Sequence, residues 1–553
     1  MGKKKKLRVI PLGGVQEIGK NITVFEYGEE IVVVDCGIMF PEDDMLGIDV
    51  VIPDFTYLIE NMHKIKGLVL THGHEDHIGA VPYFLKEINV PVYGTALTLG
   101  LLEYKLETHD LIKSTDLNVV EAGDIVQLGR FSVEFINSNH SIADSVALAI
   151  RTPVGIVIHT SDFKIDYTPI DGKPMNLQRI AELGEEGVRL LLADSTNVEK
   201  EGFTISERVV GESFEAIFSK AKGRIIVATF ASNVHRVQQV VNAAIKFDKK
   251  IIAFGRSMLN VMRKSMELGY LNVPEGTLIE PKDMDKYKAN ELVFVATGSQ
   301  GEPMSALQRM SMDTHKMAEI QKDDLIVISA SAIPGNEKPV NKLINNLLKK
   351  GAEVIYESLS EIHSSGHACR EELKLVHNLV RPEYFMPVHG EFRHLKRHGD
   401  LAQSIGMKEK NIFVMDKGEV LEISEKSAVV REKVANGYLM VDGLGVGDIG
   451  NVVLRDRKHL SQDGLITVVV TVEKSSGEII AGPDIITRGF VYVKESNELI
   501  KEIKDRIYDN LNKHDLTSLD FNAMKNIVRR DLREFLYKKT KRRPMILPII
   551  TEL

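Results

Sequence analysis

Short apolar runs that end in polar residues recur through the first 200 residues of the chain. They predict buried strands at residues 31–35, 67–71, 133–137, 146–151, 155–159 and 190–193. Helix-like stretches, such as residues 78–87, lie between some of these runs. The pattern predicts a strand-rich α/β region of about 200 residues.

The pattern changes near residue 205, where strand candidates begin to alternate with helical stretches. The predicted strands are residues 224–229, 250–254, 292–297, 325–329 and 353–356. Such alternation predicts a parallel sheet with helices on both faces. We therefore expect a second domain over residues 207–355, followed by a further strand at residues 384–388.

The last part of the chain reads as a third unit behind a glycine-rich segment, residues 439–450. Gly445, Gly447 and Gly450 match a dinucleotide-binding fingerprint. That fingerprint needs a helix after it, whereas residues 451–455 read as a strand, so no nucleotide site is expected. Beyond this segment the pattern predicts strands at residues 466–473 and 489–493 and helices at residues 498–512 and 519–537.

Composition limits the class of protein. The 553 residues suggest roughly three domains. No apolar run approaches the ~20 residues of a membrane span, and the lysines at positions 3–6 are not followed by the apolar stretch of a signal peptide. The only cysteines, Cys36 and Cys369, exclude a disulfide-stapled scaffold. A cytoplasmic protein with no membrane association is expected.

The net charge of −8 by itself argues mildly against a nucleic-acid partner, because polyanion binders usually carry a basic excess. The chain has no tryptophan, so any stacking on bases falls to tyrosine, phenylalanine or histidine.

The clearest chemical signal is a turn rich in histidine and acidic residues, directly after the 67–71 strand. It contains His72, His74, Glu75, Asp76 and His77. Imidazole and carboxylate groups are ligand types that suit zinc or manganese. The alternative is a solvated loop with incidental histidines, which the density and order of these residues disfavour.

This turn resembles the His-x-His-x-Asp-His signature of metallo-β-lactamase-fold hydrolases. The resemblance implies further ligands in a set order: His140 after the 133–137 strand and Asp162, a carboxylate bridging two metals, after the 155–159 strand. Asp35 matches the first family motif, whose aspartate orients ligands by hydrogen bonds. Each candidate follows an apolar strand, at the edge where α/β sites collect.

Three later segments narrow the resemblance. Residues 193–197, 364–368 and 386–391 resemble motifs A, B and C of the β-CASP group, the nucleic-acid-processing branch of that fold. The implied fold is α/β: a metallo-β-lactamase αββα sandwich, an inserted β-CASP α/β domain and a small C-terminal α+β domain. The expected divisions are residues 1–206 and 356–432 for the sandwich, 207–355 for the insertion, 433–460 for a linker and 461–553 for the C-terminal domain.

Nearly the whole chain resembles the bacterial ribonuclease J family. The matching segments are residues 12–21, 40–43, 46–49, 297–303, 450–457 and 542–548. Three positions depart from the family pattern: Gln16 and Ser161 stand where glycine is common, and Ala143 replaces a usual proline. None of these departures removes a ligand.

The resemblance implies a centre with two divalent metal ions per subunit. His72, His74 and His140 would hold one ion, Asp76, His77 and His389 the other, and Asp162 would bridge them. Zinc suits the histidine content, while manganese or magnesium is also possible. Two such ions would take the net charge from −8 to about −4. The acidic composition therefore no longer argues against an RNA partner.

Catalytic and substrate-binding residues follow from the same resemblance. His367 is expected as general acid, with Asp194 as its charge partner, and Asp76 belongs to the catalytic set. Backbone and hydroxyl groups in two turns could cradle phosphate, although each turn alone could equally be structural. The substrate contacts carried over are Ser232, Asn233, Val234, His363, Ser364, Ser365, Gly366 and His367.

The implied function is a metal-dependent ribonuclease acting on single-stranded RNA. It would combine 5′–3′ exonuclease activity, preferring a 5′-monophosphate, with endonuclease activity, in RNA decay and in rRNA and mRNA maturation. A dimer or tetramer formed through the C-terminal domain and RNA-decay partners are also expected. The basic cluster at residues 538–543 could track RNA or serve a subunit contact.

Two alternatives remain open. One is a metallohydrolase of small substrates, against which the insertion and motifs A to C speak. The other is a weakly active scaffold paired with an active paralogue, against which the complete ligand set speaks.

Overall fold

The computed structural model describes residues 5–302, 304–333, 336–357, 361–491 and 497–553. The chain forms two compact units. One consists of Met1–Met39 and Val51–Leu439, and the other of Phe40–Val50 and Met440–Leu553. No helix in the described ranges is long and apolar enough to cross a bilayer.

The segment before the insertion alternates strands with short helices. Its strands are β1 (Leu7–Gly13), β2 (Ile22–Tyr27), β3 (Ile31–Val34), β4 (Val50–Pro53), β5 (Ile65–Val69), β6 (Val92–Gly94), β7 (Leu117–Val119), β8 (Ile125–Leu128), β9 (Phe131–Asn137), β10 (Val146–Thr152), β11 (Gly155–His159) and β12 (Val188–Asp194). Its helices are α1 (Thr56–Glu60), α2 (Glu75–Ile78), α3 (Val81–Glu87), α4 (Ala96–Thr108) and α5 (Leu177–Glu186).

The inserted region contains helices and strands in strict alternation. The helices are α6 (Glu207–Lys220), α7 (Val234–Lys246), α8 (Arg256–Glu267), α9 (Ala306–Ser311) and α10 (Glu337–Lys349). The strands are β13 (Ile225–Ala228), β14 (Lys250–Phe254), β15 (Leu292–Ala296), β16 (Leu325–Ile328) and β17 (Glu353–Tyr356). All pair in parallel in the order β14-β15-β13-β16-β17, as the sequence predicts.

The inserted sheet is buried on both faces, which explains its continuous apolar runs. Along β13, Ile225 and Val227 contribute to one core, whereas Ile226 and Ala228 contribute to the core on the opposite face.

After the insertion the chain returns to the first sheets. The returning elements are α11 (Arg370–Val380), β18 (Tyr384–Val388), α12 (Phe392–Ser404), β19 (Glu419–Ile423) and β20 (Ala428–Lys433). β18 pairs in parallel with β12, placing Val388 opposite Asp194. Strands from before and after the insertion are therefore neighbours, and motif C lies beside motif A.

Two mixed sheets form the sandwich. One has the order β20-β19-β1-β2-β3-β5-β6-β7 and the other β18-β12-β11-β10-β9-β8. Phe25 and Val32 from the first sheet share a core with Phe135, Leu148 and Leu190 from the second. The outer face of the second sheet packs against α5, α11 and α12. The αββα sandwich with an inserted α/β domain is confirmed.

The second unit differs in detail from the sequence-based expectation. Its region contains β21 (Tyr438–Asp442), β22 (Gly445–Val446), α13 (Asn451–Asp463), β23 (Leu465–Val472), β24 (Ile479–Arg488), α14 (Asn497–Leu511), α15 (Phe521–Thr540) and β25 (Met545–Glu552). The order of its main sheet is β24-β23-β25. The predicted linker, residues 433–460, contains β21, β22 and most of α13, and the sequence-based domain boundaries stay predictions.

Two strand predictions are wrong here. Residues 451–455 begin helix α13, where Val452 and Val453 are exposed, so their preference for strands is not supported by burial. The strand expected at residues 489–493 is displaced: β24 ends at Arg488, and positions 492 and 493 lie outside the described residues. The fingerprint glycines do precede a helix, but β21 and β22 form an antiparallel hairpin rather than a parallel βαβ unit.

Candidate metal centre

The side chains of the candidate site share one feature: they lie at or just beyond the carboxyl end of a strand in the two facing sheets. They are Asp35 after β3, residues 72–77 after β5, His140 after β9, Asp162 after β11, Asp194 at the end of β12 and His389 after β18. The sandwich therefore brings together at one edge residues that are more than 300 positions apart in sequence.

The first donor set consists of His72, His74, His140 and Asp162. His74 Nδ1 lies 3.1 Å from His72 Nε2 and 3.1 Å from His140 Nε2. Asp162 Oδ2 is 3.8 Å from His72 Nε2 and 3.7 Å from His140 Nε2. Three ring nitrogens and one carboxylate oxygen thus face a common point.

The second donor set consists of Asp76, His77, His389 and, again, Asp162. Asp162 Oδ2 lies 3.3 Å from His77 Nε2 and 3.4 Å from His389 Nε2. Asp76 Oδ2 lies 3.2 Å from His389 Nε2 and 3.7 Å from His77 Nε2. Asp162 therefore belongs to both sets, and one carboxylate oxygen faces the ring nitrogens of each.

The second nitrogen of four rings is held by a protein oxygen. Asp35 Oδ2 lies 2.7 Å from His77 Nδ1, and Thr71 Oγ1 lies 3.1 Å from His72 Nδ1. The remaining two contacts are Gly366 O to His140 Nδ1 at 2.6 Å and Thr196 Oγ1 to His389 Nδ1 at 2.7 Å. Such partners orient a metal-binding imidazole. The donor chemistry therefore fits divalent metal ions.

Burial and charge act on the ionisable groups of the site. Burial lowers the pKa of His72 and His140 well below the usual value and lowers the pKa of His74 to about 4. These rings are neutral near pH 7, the form that binds a metal. Burial alone would raise the pKa of Asp162, but His389 and His77 hold it well below its usual range. The shared carboxylate is therefore ionised.

At two of the positions that depart from the family pattern, the backbone conformation explains why glycine is common. Gln16 and Ser161 have φ values of 57° and 53°, in the left-handed region that favours glycine. At Ser161 a hydrogen bond offsets part of the strain, because its hydroxyl donates to Thr71 Oγ1 at 2.7 Å. Asp35 and His389 share this conformation, with φ values of 60° and 54°.

His367 and Asp194 lie beside the two donor sets. His367 Nδ1 is 2.8 Å from Asp194 Oδ2, and its ring centroid is 5.0 Å from that of His140 and 5.3 Å from that of His389. Burial would lower the pKa of His367, but the Asp194 carboxylate outweighs it and raises the pKa. The His367 side chain is 21 % exposed. A partly exposed ring with a raised pKa, beside the two donor sets, is suited to donate a proton.

The structure places residues 363–367 against the centre through Gly366 and His367. Within this turn the Ser364 hydroxyl donates to Ile205 O, and the Ser365 hydroxyl accepts from Asn197 Nδ2, so both are engaged in the fold. His363 is half-buried, and its buried Nδ1 has no hydrogen-bond partner.

The other predicted substrate segment, residues 232–234, opens helix α7. There Asn233 Oδ1 accepts from Arg236 N at 3.0 Å as a helix cap. The described contacts do not join this segment to the donor sets.

Several residues of the site escape prediction from sequence. Thr196 lies inside motif A, but nothing local marks its hydroxyl as the partner of His389. Asn21, whose Nδ2 lies 3.0 Å from His77 Nε2, belongs to the matched 12–21 segment. The Gly366 carbonyl that contacts His140 carries no side-chain signal at all.

The position of Gly366 makes a test of the first donor set. A Cβ at this residue would lie 2.5 Å from His140 Cε1 and 2.6 Å from His140 Nδ1. We expect Gly366→Ala to displace the His140 ring, reduce the bound metal and lower kcat/KM about 10–100-fold, the scale of a lost partner of a ligand. Gly450→Ala is a matched control, because nothing lies within 4 Å of the added Cβ. Full metal content in Gly366→Ala would contradict the geometry.

The αββα sandwich, the insertion and the paired donor sets define a class: a metallohydrolase of the metallo-β-lactamase fold with a β-CASP insertion. Family models agree. Residues 16–163 match the metallo-beta-lactamase superfamily, residues 222–347 the "Ribonuclease J, beta-CASP domain", residues 351–415 the "Zn-dependent metallo-hydrolase RNA specificity domain" and residues 452–553 the "Ribonuclease J C-terminal domain".

Full-length relatives narrow the class. The chain is 46 % identical to Ribonuclease J 1 of Streptococcus pyogenes, over 99 % of this chain and 98 % of the relative. It is 44 % identical to Ribonuclease J2 of Bacillus subtilis, over 99 % of each, and 40 % identical to Ribonuclease J 2 of Staphylococcus aureus, over 100 % and 99 %. The chain belongs to the ribonuclease J family and is a metal-dependent ribonuclease.

A solved structure shares the fold. It is a protein of unknown function from Enterococcus faecalis V583, 15 % identical, with a TM-score of 0.53. The match covers 76 % of this chain and 100 % of that chain.

Proposed function

We propose that this ribonuclease degrades single-stranded RNA from the 5′ end, prefers a 5′-monophosphate, and also cleaves internally, in RNA decay and in rRNA and mRNA maturation. The observation that carries this proposal is the His367–Asp194 pair, held beside two donor sets that share Asp162. A proton donor next to such a centre suits hydrolysis of a phosphodiester, whose leaving oxygen needs a proton. Neither a small-substrate metallohydrolase nor a weakly active scaffold paired with an active paralogue is favoured.

The centre is proposed to hold two divalent ions, with zinc preferred over manganese or magnesium. His72, His74, His140 and Asp162 would hold one ion, while Asp76, His77, His389 and the shared Asp162 would hold the other. Such ions would act as Lewis acids, activating water and offsetting charge on the phosphoryl oxygens.

The protein residues around the centre supply orientation and a proton. Asp35 fixes the His77 ring through Nδ1, and also accepts from the Thr71 backbone N–H at 2.8 Å. Asp194 accepts from Nδ1 of His367, which leaves Nε2–H to donate. The proton goes from this nitrogen to the leaving 3′-oxygen of the RNA.

Recognition of the 5′ end is proposed to fall to two segments, residues 232–234 and 363–367. Backbone N–H groups at the start of helix α7 are suited to an anionic group. Near the second segment, the positive charges of Arg236, Lys200 and Lys164 are close enough to lower the pKa of His363, after burial as the main cause, to about 3. Arg236 and Lys164 are buried and pair with Glu207, so the exposed Lys200 is the cation available to a terminal phosphate there.

The end preference is tested with one RNA prepared with either a 5′-monophosphate or a 5′-triphosphate. We expect faster release of mononucleotides from the monophosphate form, because a triphosphate carries more charge and bulk than one phosphate site accommodates. An internally labelled circular RNA of the same sequence is the control, since it has no end and reports endonuclease activity alone. Equal rates on both linear RNAs would contradict end recognition.

A homo-oligomer formed through the C-terminal domain is proposed from the sheet of the second unit. One face of β23 packs on α14 and α15, burying Val468 and Val470. On strand β25, Leu547 and Ile549 are 44 % and 46 % exposed. An exposed apolar sheet face is typical of a surface that pairs with a second copy. Cytoplasmic location and RNA-decay partners stay predictions.

The oligomer is tested by sedimentation. We expect Ile549→Lys to shift the protein from a dimer or tetramer to a monomer, because a charge on this face must be desolvated in the interface. Val452→Lys is the matched control: Val452 is 61 % exposed but lies on α13. An unchanged mass for Ile549→Lys would place the subunit contact elsewhere.

A further inference from the structure

A buried polar array lies directly behind the turn that follows β12. His398 on α12 is fully buried, and its Nδ1 lies 3.0 Å from Ser195 Oγ. His398 Nε2 lies 3.2 Å from Nε2 of His377 on α11. Both rings pack against Phe385 on β18, with centroid distances of 4.7 Å and 4.5 Å. Polar groups in such an apolar core are costly unless they are hydrogen-bonded.

The hydrogen-bond directions follow from what each atom can do. The Ser195 hydroxyl lies 3.3 Å from the Ala193 carbonyl oxygen, which can only accept. If the hydroxyl donates there, His398 donates to Ser195 through Nδ1, and its Nε2 accepts from His377. Burial lowers the pKa of both rings, so both are neutral. The array then holds Ser195 through a single unbranched chain of hydrogen bonds.

Ser195 lies between Asp194 and Thr196, whose side chains contact the rings of His367 and His389. On one side, Asp194 Oδ2 contacts His367 Nδ1 at 2.8 Å. On the other, Thr196 Oγ1 contacts His389 Nδ1 at 2.7 Å. A shift of the Ser195 backbone would therefore move the partner of the proton donor and the partner of a metal ligand together.

We propose that His398 is a positioning residue for hydrolysis. Through Ser195 it fixes the turn of residues 194–196, so that Asp194 keeps His367 aimed at the leaving oxygen. His377 completes the array by satisfying the far nitrogen of His398. This inference rests on the proposed role of His367 as the proton donor.

The test compares two substrates that differ in their need for a proton. The leaving group of RNA is a 3′-alkoxide, which must be protonated, whereas bis(p-nitrophenyl) phosphate releases a stable phenolate. We expect Ser195→Ala to lower kcat on RNA about 10–100-fold, with KM little changed and at least a severalfold smaller loss on the aryl ester. His398→Leu is expected to behave alike, and the double variant to be no worse than the single ones, because they break one chain.

Rescue and controls separate positioning from stability. His398→Asn keeps a donor near the position of Nδ1 and is expected to recover most of the activity on RNA. Ser311→Ala is the matched control, since Ser311 is also buried and its hydroxyl donates to a backbone carbonyl, at 2.7 Å, in the inserted domain. Metal content and Tm are measured for every variant.

Two results would overturn the proposal. One is unchanged kcat on RNA in a Ser195→Ala protein whose Tm shows that it is folded. The other is an equal loss on both substrates that adds in the double variant and follows Tm, as a structural role would give. The proposed function fails separately: if His367→Ala also loses both substrates equally, the proton-donor role is wrong.

Discussion

Replacing Asp162 with asparagine is expected to abolish RNA hydrolysis in a chain that still folds. The carboxylate faces both donor sets, lying 3.3 to 3.8 Å from four ring nitrogens. An amide keeps the shape but removes the negative charge that offsets two cations in a buried site. The loss in kcat/KM should exceed the roughly 100-fold cost of losing a mere partner of a ligand, and both metals should be lost or weakly held.

The measurements are metal per chain by mass spectrometry, kcat/KM on a 5′-monophosphorylated RNA, and Tm. Asp324→Asn is the matched control, because Asp324 is also buried and pairs with Arg224 at 2.6 Å, in the inserted domain. It should lower Tm but keep metal content and kcat. An Asp162→Asn protein with two tightly held ions and normal turnover would disprove the two-metal arrangement.

Replacing His367 with alanine is the second large expected effect. Removal of a general acid typically costs about 10²–10⁴-fold, and we expect a loss of this size in kcat on RNA. Metal content should stay normal, because His367 belongs to neither of the two donor sets that share Asp162. The loss should be much smaller on bis(p-nitrophenyl) phosphate, whose leaving group departs as a stable anion.

His109→Ala serves as the control for the second prediction, since His109 lies at the end of α4 and contacts the Tyr83 ring rather than the centre. Loss of both ions in His367→Ala would instead make His367 a ligand. The metal measurement is needed to exclude this outcome. Asp162, Asp194, His367 and His389 also lie close enough together to form a third group of metal donors.

Much of the inserted domain can be predicted from local sequence. Its strands are buried on both faces, so they read as continuous apolar runs, and their alternation with helices leaves a parallel sheet as the natural arrangement. The same local signal fails in the second unit. Val452 and Val453 favour a strand intrinsically, yet they lie exposed at the start of a helix, where context outweighs propensity.

The sequence by itself determined which residues are available as ligands and their order, because a turn after a strand brings His72, His74 and His77 together locally. Only the tertiary structure decided how the rings are held. Thr196 and His389 are 193 positions apart, and His140 and Gly366 are 226 apart. The Thr196–His389 contact exists because β18 pairs beside β12. Hydrogen-bond partners at such separations leave no periodic or local signal in the sequence, so only the folded structure reveals them.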